Sequence, residues 1–159
     1  MSLKPTSLSP LQLKHHAFPV VSVRANPKGK ATATSAIDQQ VACVPVEGIP
    51  NHWNLQLQIS LHSTDANNPF CYEAEIVAIG VVELTGEVPA ERREAIAAIN
   101  GLSLLYSACR EMLLIITARS IHGAFTIPSL NFQKVLQEAQ ANLQAIKKQP
   151  EAKAETVKS

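Results

Sequence analysis

Between residues 54 and 62 the chain reads NLQLQISLH, a strict alternation of apolar and polar side chains. On an extended backbone Leu55, Leu57, Ile59 and Leu61 fall on one side, and Asn54, Gln56, Gln58, Ser60 and His62 on the other. A helix would scatter those four aliphatic residues around its circumference. Period two leaves one solution, a half-buried strand with one wet face. Such a strand needs partners along its edges and a layer over its apolar side, and the rest of the chain supplies both.

The turn chemistry of STDAN, residues 63–67, closes an antiparallel hairpin into a second strand over about residues 70–84. That strand changes character midway. Glu73 and Glu75 alternate with Tyr72 and Ala74, but residues 76–82 are apolar on both faces and must be covered on both sides. Upstream, residues 11–25 read as a strand whose Pro19 confines it to an edge or a bulge. QQVACVPV, after a Gly/Ala/Thr-rich stretch from residue 28, supplies a fourth short strand. Beyond Gly86 the period becomes helical. Pro89 and Glu91 open a helix that Gly101 ends in a left-handed cap. A second helix over about 102–119 aligns Leu105, Cys109, Met112, Leu113 and Ile116, with Leu114 and Ile115 widening the stripe. Gly123 and Pro128 mark a loop, and Asn131 caps a third helix with Phe132, Val135, Leu136, Ala139, Leu143 and Ile146 on one face. Strands first and helices after predict an α+β domain, a four-stranded antiparallel sheet with helices on one face. The expected limits are a flexible arm over 1–10, one domain over 11–148 and a disordered tail over 149–159.

Charged residues make up 17% of the chain, against about 25% in typical domains. The surface should therefore carry more neutral and apolar area, which favours self-association or apolar partners. A net charge of +1 supplies no field for nucleic acid or an anionic membrane surface, although the first 37 residues hold Lys4, Lys14, Arg24, Lys28 and Lys30 and no acid. No apolar run approaches ~18 residues, so no membrane insertion is expected. The start MSLKPTSLSP lacks the apolar core of a secretory signal, and three widely spaced cysteines without a CxxC pair fit a reducing compartment. The expected location is cytoplasmic.

Catalysis finds little support. GKATATS has too few glycines for a phosphate loop, and the five histidines show no metal-ligand spacing. His15 and His16 face opposite ways on a strand, and Cys109, mid-helix on the apolar stripe, reads as a structural thiol. Glu73 and Glu75 share a strand face as solvated charges or as an acidic docking patch. Arg110–Glu111 suggests an intersubunit or helix–sheet ion pair. No enzyme, metal or cofactor is expected. The signals that remain are apolar. Trp53, the only tryptophan, precedes a strand in the context PNHWN, and Tyr72, Tyr106 and Phe125 approach it as a core cluster or as a groove for the apolar side chains of a peptide.

LLYSACRE (residues 104–111), Arg119 and IPSLNF (residues 127–132), with FPVVSVRANP and Trp53 upstream, resemble SecB, the bacterial export chaperone, and its SecB-like relatives over about residues 18–146. The resemblance implies an ATP-independent holdase for unfolded preproteins, built as a homotetramer, a dimer of dimers with helices between paired sheets. It places Trp53, Tyr72, Tyr106, Ile121, Phe125 and Ile127 along an apolar client groove. Ser107, Ala108 and Cys109 stand where the family has Pro-Tyr-Ala, and Pro128 precedes Ser129 where the family proline falls. The sheet surface that docks the motor SecA is acidic in the family. Here it carries Val20 and Arg24 beside Glu73 and Glu75, which argues against SecA and towards a dedicated client such as an antitoxin. From a different class, a small-molecule-binding α+β domain is the competing expectation.

Overall fold

The alternating segment becomes β3 (His52–Ser63), and its Leu55, Leu57, Ile59 and Leu61 are all buried. In the computed structural model, which describes residues 8–138, β3 pairs with β2 (Ser35–Pro45) on one side and β4 (Tyr72–Leu84) on the other. The first strand, β1 (Leu11–Ala25), lies on the other side of β4, and residues 26–34 carry the chain from it to β2 at the opposite edge. The sheet order is β1-β4-β3-β2, antiparallel throughout, a Greek-key arrangement with the long connection first. The α+β architecture expected from the pattern is the one observed. QQVACVPV forms the body of a strand of 11 residues, and Pro19 lies on an edge strand at a register shift between Ala17 and Val20. A proline there removes no ladder bond and bends the strand.

Register rows sort the two faces. Trp53–Val82, Leu55–Gly80, Leu57–Ala78, Ile59–Ile76 and Leu61–Ala74 face inward. Asn54–Val81, Gln56–Ile79, Gln58–Val77 and Ser60–Glu75 face outward. Among the described residues only the inner face is covered, by one helix α1 (Ala90–Thr117). Its 28 residues span about 42 Å at ~1.5 Å per residue, the length of a 13-residue strand at ~3.3 Å. The outer side of the doubly apolar segment stays open in the protomer, with Ile79 38% exposed.

The two helices expected over 88–119 are therefore one, and Gly101 is no cap. It is buried in the middle of α1 and has no left-handed backbone. A Cβ on Gly101 would lie 2.3 Å from Leu55 Cδ1 and 3.2 Å from Val82 Cγ1. Glycine is there because the helix crosses the sheet at backbone distance. Length and a mean hydropathy of 1.3 would by themselves let α1 cross a membrane, which the run-length reading of the sequence did not register. Its buried stripe, Ala97, Ala98, Gly101, Leu102, Leu105, Tyr106, Cys109, Leu113 and Thr117, packs on the sheet.

The chain falls into two compact units, one ending at Pro128 and one beginning at Ser129. In the second, Asn131 caps as expected, its Oδ1 accepting from the Gln133 and Lys134 amides at 3.1 and 3.3 Å, and residues 132–138 are helical. The expected helix face at Ala139, Leu143 and Ile146, the tail and the first residues of the arm lie outside the described residues.

Candidate functional site

Residues 118–128 run back from the end of α1 without forming a strand or helix, so their polar backbone groups need other partners. Side chains provide them. Thr117, fully buried, donates from Oγ1 to the Leu113 carbonyl at 2.8 Å and accepts the Phe125 amide at 2.9 Å. Tyr72 Oη donates to the Gly123 carbonyl at 2.5 Å, Arg110 Nε to Ile127 O at 2.9 Å and Tyr106 Oη to Pro128 O at 2.5 Å. His122 Nε2 lies 2.6 Å from the Asn26 carbonyl, which can only accept, so this nitrogen carries the proton. Burial pushes the Tyr106 phenol above its ordinary value, with Arg110 pulling the other way, and keeps it a donor. Arg110, expected from the sequence in an ion pair, holds this loop through its Nε.

The loop and the lower end of the sheet enclose an aromatic cluster. The Tyr72 ring lies 5.7 Å from both Phe125 and His122, and Phe125 meets Phe70 edge-on at 5.3 Å. Of the six residues assigned to an apolar groove, Tyr72, Phe125 and Ile127 thus share one region, as does Tyr106 through Pro128. Tyr72, Tyr106 and Ile127 are buried, Phe125 is half-buried and Ile121 is 70% exposed. Trp53 is elsewhere. Its register partner Val82 is ten positions along β4 from Tyr72, roughly 33 Å at ~3.3 Å per residue. There it is buried beside an open cleft of about 430 Å³ lined by Val46, Ile49, Pro50, Asn51, Arg93 and Glu94, and Arg93 binds Asn51 and the Val88 carbonyl. The expectation that Tyr72, Tyr106 and Phe125 gather around Trp53 is corrected by the strand's length. Phe70 and His122 join the cluster without having been assigned to it. Phe70, next to the hairpin's turn chemistry, carried a usable signal, whereas His122 carried none.

Tyr72→Phe should remove one donor from the loop and lower stability by about 1 kcal/mol. Denaturant unfolding measures that loss, and amide exchange should quicken around Gly123 while α1 keeps its protection.

Three further features complete the surface. On the outward side of α1, Leu104, Leu114, Ile115 and Ile116 are between 40% and 63% exposed. On the outer sheet face Arg24 stands in register with Glu73, and Glu75 accepts from Gln58 at 3.2 Å, so the three residues assigned to partner docking do share one patch, with Ser22, Ser60 and His62. Asp38 and His62 approach to 3.6 Å across the strands. No group of His, Cys, Asp and Glu able to hold a metal occurs among the described residues.

The thiols are inert in character. Burial pushes Cys109 up to about 12, and burial with Glu94 beside it pushes Cys43 up to about 11. Both lie above the ordinary 9.0, so the unfolded chain releases these protons first as pH rises. The stability they lend is intact below pH 9.0 and declines from there towards pH 12. Thermal melts across that window should show the decline, and Cys109 should resist iodoacetamide at pH 8 until denaturant is added.

A four-stranded antiparallel Greek-key sheet with one long helix across its inner face, and apolar surface left open on both layers, defines the fold class. The chain has a SecB-like fold. It superposes on the Rv1957 SecB-like chaperone of Mycobacterium tuberculosis, solved in complex with a ChAD peptide from the Rv1956 HigA1 antitoxin, with a TM-score of 0.58 and 16% identity over 76% of this chain and 90% of that one. A protein of unknown function from Streptococcus agalactiae aligns over 74% of this chain and 96% of its own at 8% identity and a TM-score of 0.45. No protein-family model and no curated protein sequence matches the chain.

Proposed function

We propose that this protein is an ATP-independent holdase of the SecB-like family, binding non-native polypeptides in the cytoplasm as a homotetramer. The observation that carries the reading is apolar surface held open by a fully packed protomer. The core is closed over Leu57, Ile76, Leu102 and Leu105, yet Leu104, Leu114, Ile115, Ile116, Ile121, Ile79, Val20 and Val44 remain exposed. Apolar burial is non-directional, so such surface suits self-association and clients without a fixed sequence.

Self-association takes the outward stripe of α1, while exposed Ile121 and half-buried Phe125 at the loop contact clients, with Tyr72, Tyr106 and Ile127 buried beneath them and Trp53 buried at the far end of the sheet. A dedicated client is favoured over general export by Arg24, which would repel a basic docking tail such as the one SecA presents to an acidic patch. The M. tuberculosis protein with the same fold holds an antitoxin peptide, and an aggregation-prone antitoxin is the client class we favour. Against a small-molecule site, the clefts beside Val44 and Trp53 and the polar patch at Arg24, Glu73 and Glu75 all lie open to solvent and enclose no ligand-sized cavity.

Light scattering of a denatured client tests the reading. Stoichiometric tetramer should suppress aggregation without nucleotide, and unaltered aggregation at a several-fold excess would sink it.

A further inference from the structure

The turn between β2 and β3 meets the start of α1 at the Trp53 end of the sheet. Asn51, in that turn, has φ 59°, a left-handed backbone that asparagine adopts more readily than most residues, and its carbonyl accepts the Leu84 amide at 2.9 Å. Its side chain engages Arg93. Arg93 Nη1 donates to Asn51 Oδ1, and Nε donates to the Val88 carbonyl at 2.8 Å. Two separate segments of chain therefore hold one half-buried guanidinium in place.

What this guanidinium lacks is a counter-charge. The ion pairs among the described residues are Lys14–Glu83 and Asp38–His62, and neither includes Arg93. Glu91 and Glu94, its neighbours on α1, are exposed. Nη2 has no hydrogen-bond partner among the described residues, so a planar set of donors is left over, with the geometry that suits a carboxylate. α1 begins beside it, and Pro89 at the capping position offers no side-chain acceptor to the first-turn amides. The cleft around these donors is otherwise apolar. Trp53 is its buried wall, Val46 is half-buried, and Ile49 stands 51% exposed at the rim.

We infer that this cleft binds the free C-terminal end of a polypeptide whose last side chain is apolar. Arg93 takes the terminal carboxylate, and Ile49, Val46 and Trp53 receive the side chain beside it. An open cleft suits a chain end, because the rest of the polypeptide leaves towards solvent. The guanidinium is already held by Asn51 and Val88, so little ordering is left to do when the carboxylate arrives. Glu94, which also lines the cleft, disfavours an acidic residue next to the chain end and accepts a neutral or basic one. The inference goes beyond the holdase reading. Exposed apolar surface holds a non-native chain wherever it is apolar, whereas Arg93 distinguishes the charged end from the uncharged peptide bonds of the interior.

The test titrates the full-length protein with the acetylated peptide GSGSAL, carrying a free C-terminal carboxylate, and with the same peptide as its C-terminal amide. Trp53, the only tryptophan, reports from the wall of the cleft by its fluorescence, and calorimetry measures the affinity independently. The free acid should bind saturably and the amide about tenfold more weakly. A peptide ending in serine should also bind more weakly, by about tenfold, for want of an apolar side chain. Arg93→Gln should reduce the free acid to the affinity of the amide, with circular dichroism and the thermal midpoint showing whether the turn has kept its fold. Equal affinity of acid and amide for the natural protein would overturn the inference whatever the variant does, and so would full binding by a folded Arg93→Gln protein. Octanoate binding as tightly as the peptide would assign the cleft to small carboxylates and overturn the chain-end reading. None of these outcomes bears on suppression of client aggregation, so the holdase reading stands or falls separately.

Discussion

Gly101→Val should destabilise the protein by about 3 kcal/mol or more, the largest single effect expected from so small a change. The helix gains nothing to offset it, since valine is only slightly better than glycine in a helix interior. A β-carbon alone would sit 2.3 Å from Leu55 Cδ1 and 3.2 Å from Val82 Cγ1, and valine adds two methyl groups at the same crossing. Leu55 and Val82 are both buried against neighbours and have little room to turn. Relief requires α1 to lift from the sheet, loosening its stripe from Ala97 to Leu113. Urea unfolding reads the loss directly. A midpoint unchanged from the natural protein would mean that the helix does not cross the sheet as closely as Gly101 implies. Gly101→Ala is the graded control. It gains about 1 kcal/mol of helix propensity and keeps one methyl of the clash, so it should fall between the two.

Gly101 also marks where sequence reasoning stopped. A glycine twelve residues into a helical pattern reads as a cap, because composition signals that something special happens there without saying what. Left-handed backbone and close approach both select glycine. Only the neighbour across the gap, Leu55 on another strand, decides between them. The strands suffered no such ambiguity. Alternation over β3 fixed which side chains go in, and Pro19 correctly assigned β1 to an edge, since both follow from local geometry. The candidate site was less legible for the same reason as the helix. Trp53 and Tyr72 share the inner face, but the sequence carries no ruler for the distance between opposite ends of a long strand pair. Side chain-to-carbonyl bonds such as Arg110 to Ile127 leave no periodic trace either, because they depend on where an irregular loop comes to rest. The charges of Arg24, Glu73 and Glu75 did fall together, since strand register alone brings them to one patch.

The second large effect concerns assembly. Leu104→Glu combined with Ile115→Glu should leave the protomer's stability within about 1 kcal/mol and dissolve its self-association. Both residues are exposed, Leu104 at 42% and Ile115 at 63%, so neither change opens a cavity or strands a buried charge in the protomer. They are eleven residues apart, three turns of helix, and so lie on one stripe with Ala108 and Glu111 between them. Ser107 and Ala108 keep the middle of that stripe low enough for another helix to approach. If a neighbouring copy covers it, burying the exposed half of two such side chains contributes ~1.5–3 kcal/mol per protomer, and placing two carboxylates there forfeits it and adds their desolvation cost. Dissociation should shift by a hundredfold or more, at ~1.4 kcal/mol per decade. Light scattering coupled to size exclusion would then find the natural protein assembled and the double variant as smaller species at the same concentration. Circular dichroism should be unchanged between them. If the natural protein itself elutes as a monomer at micromolar concentration, the stripe is not an assembly surface. The exposed leucine and isoleucines of α1 would then have to be read as part of the client-binding area.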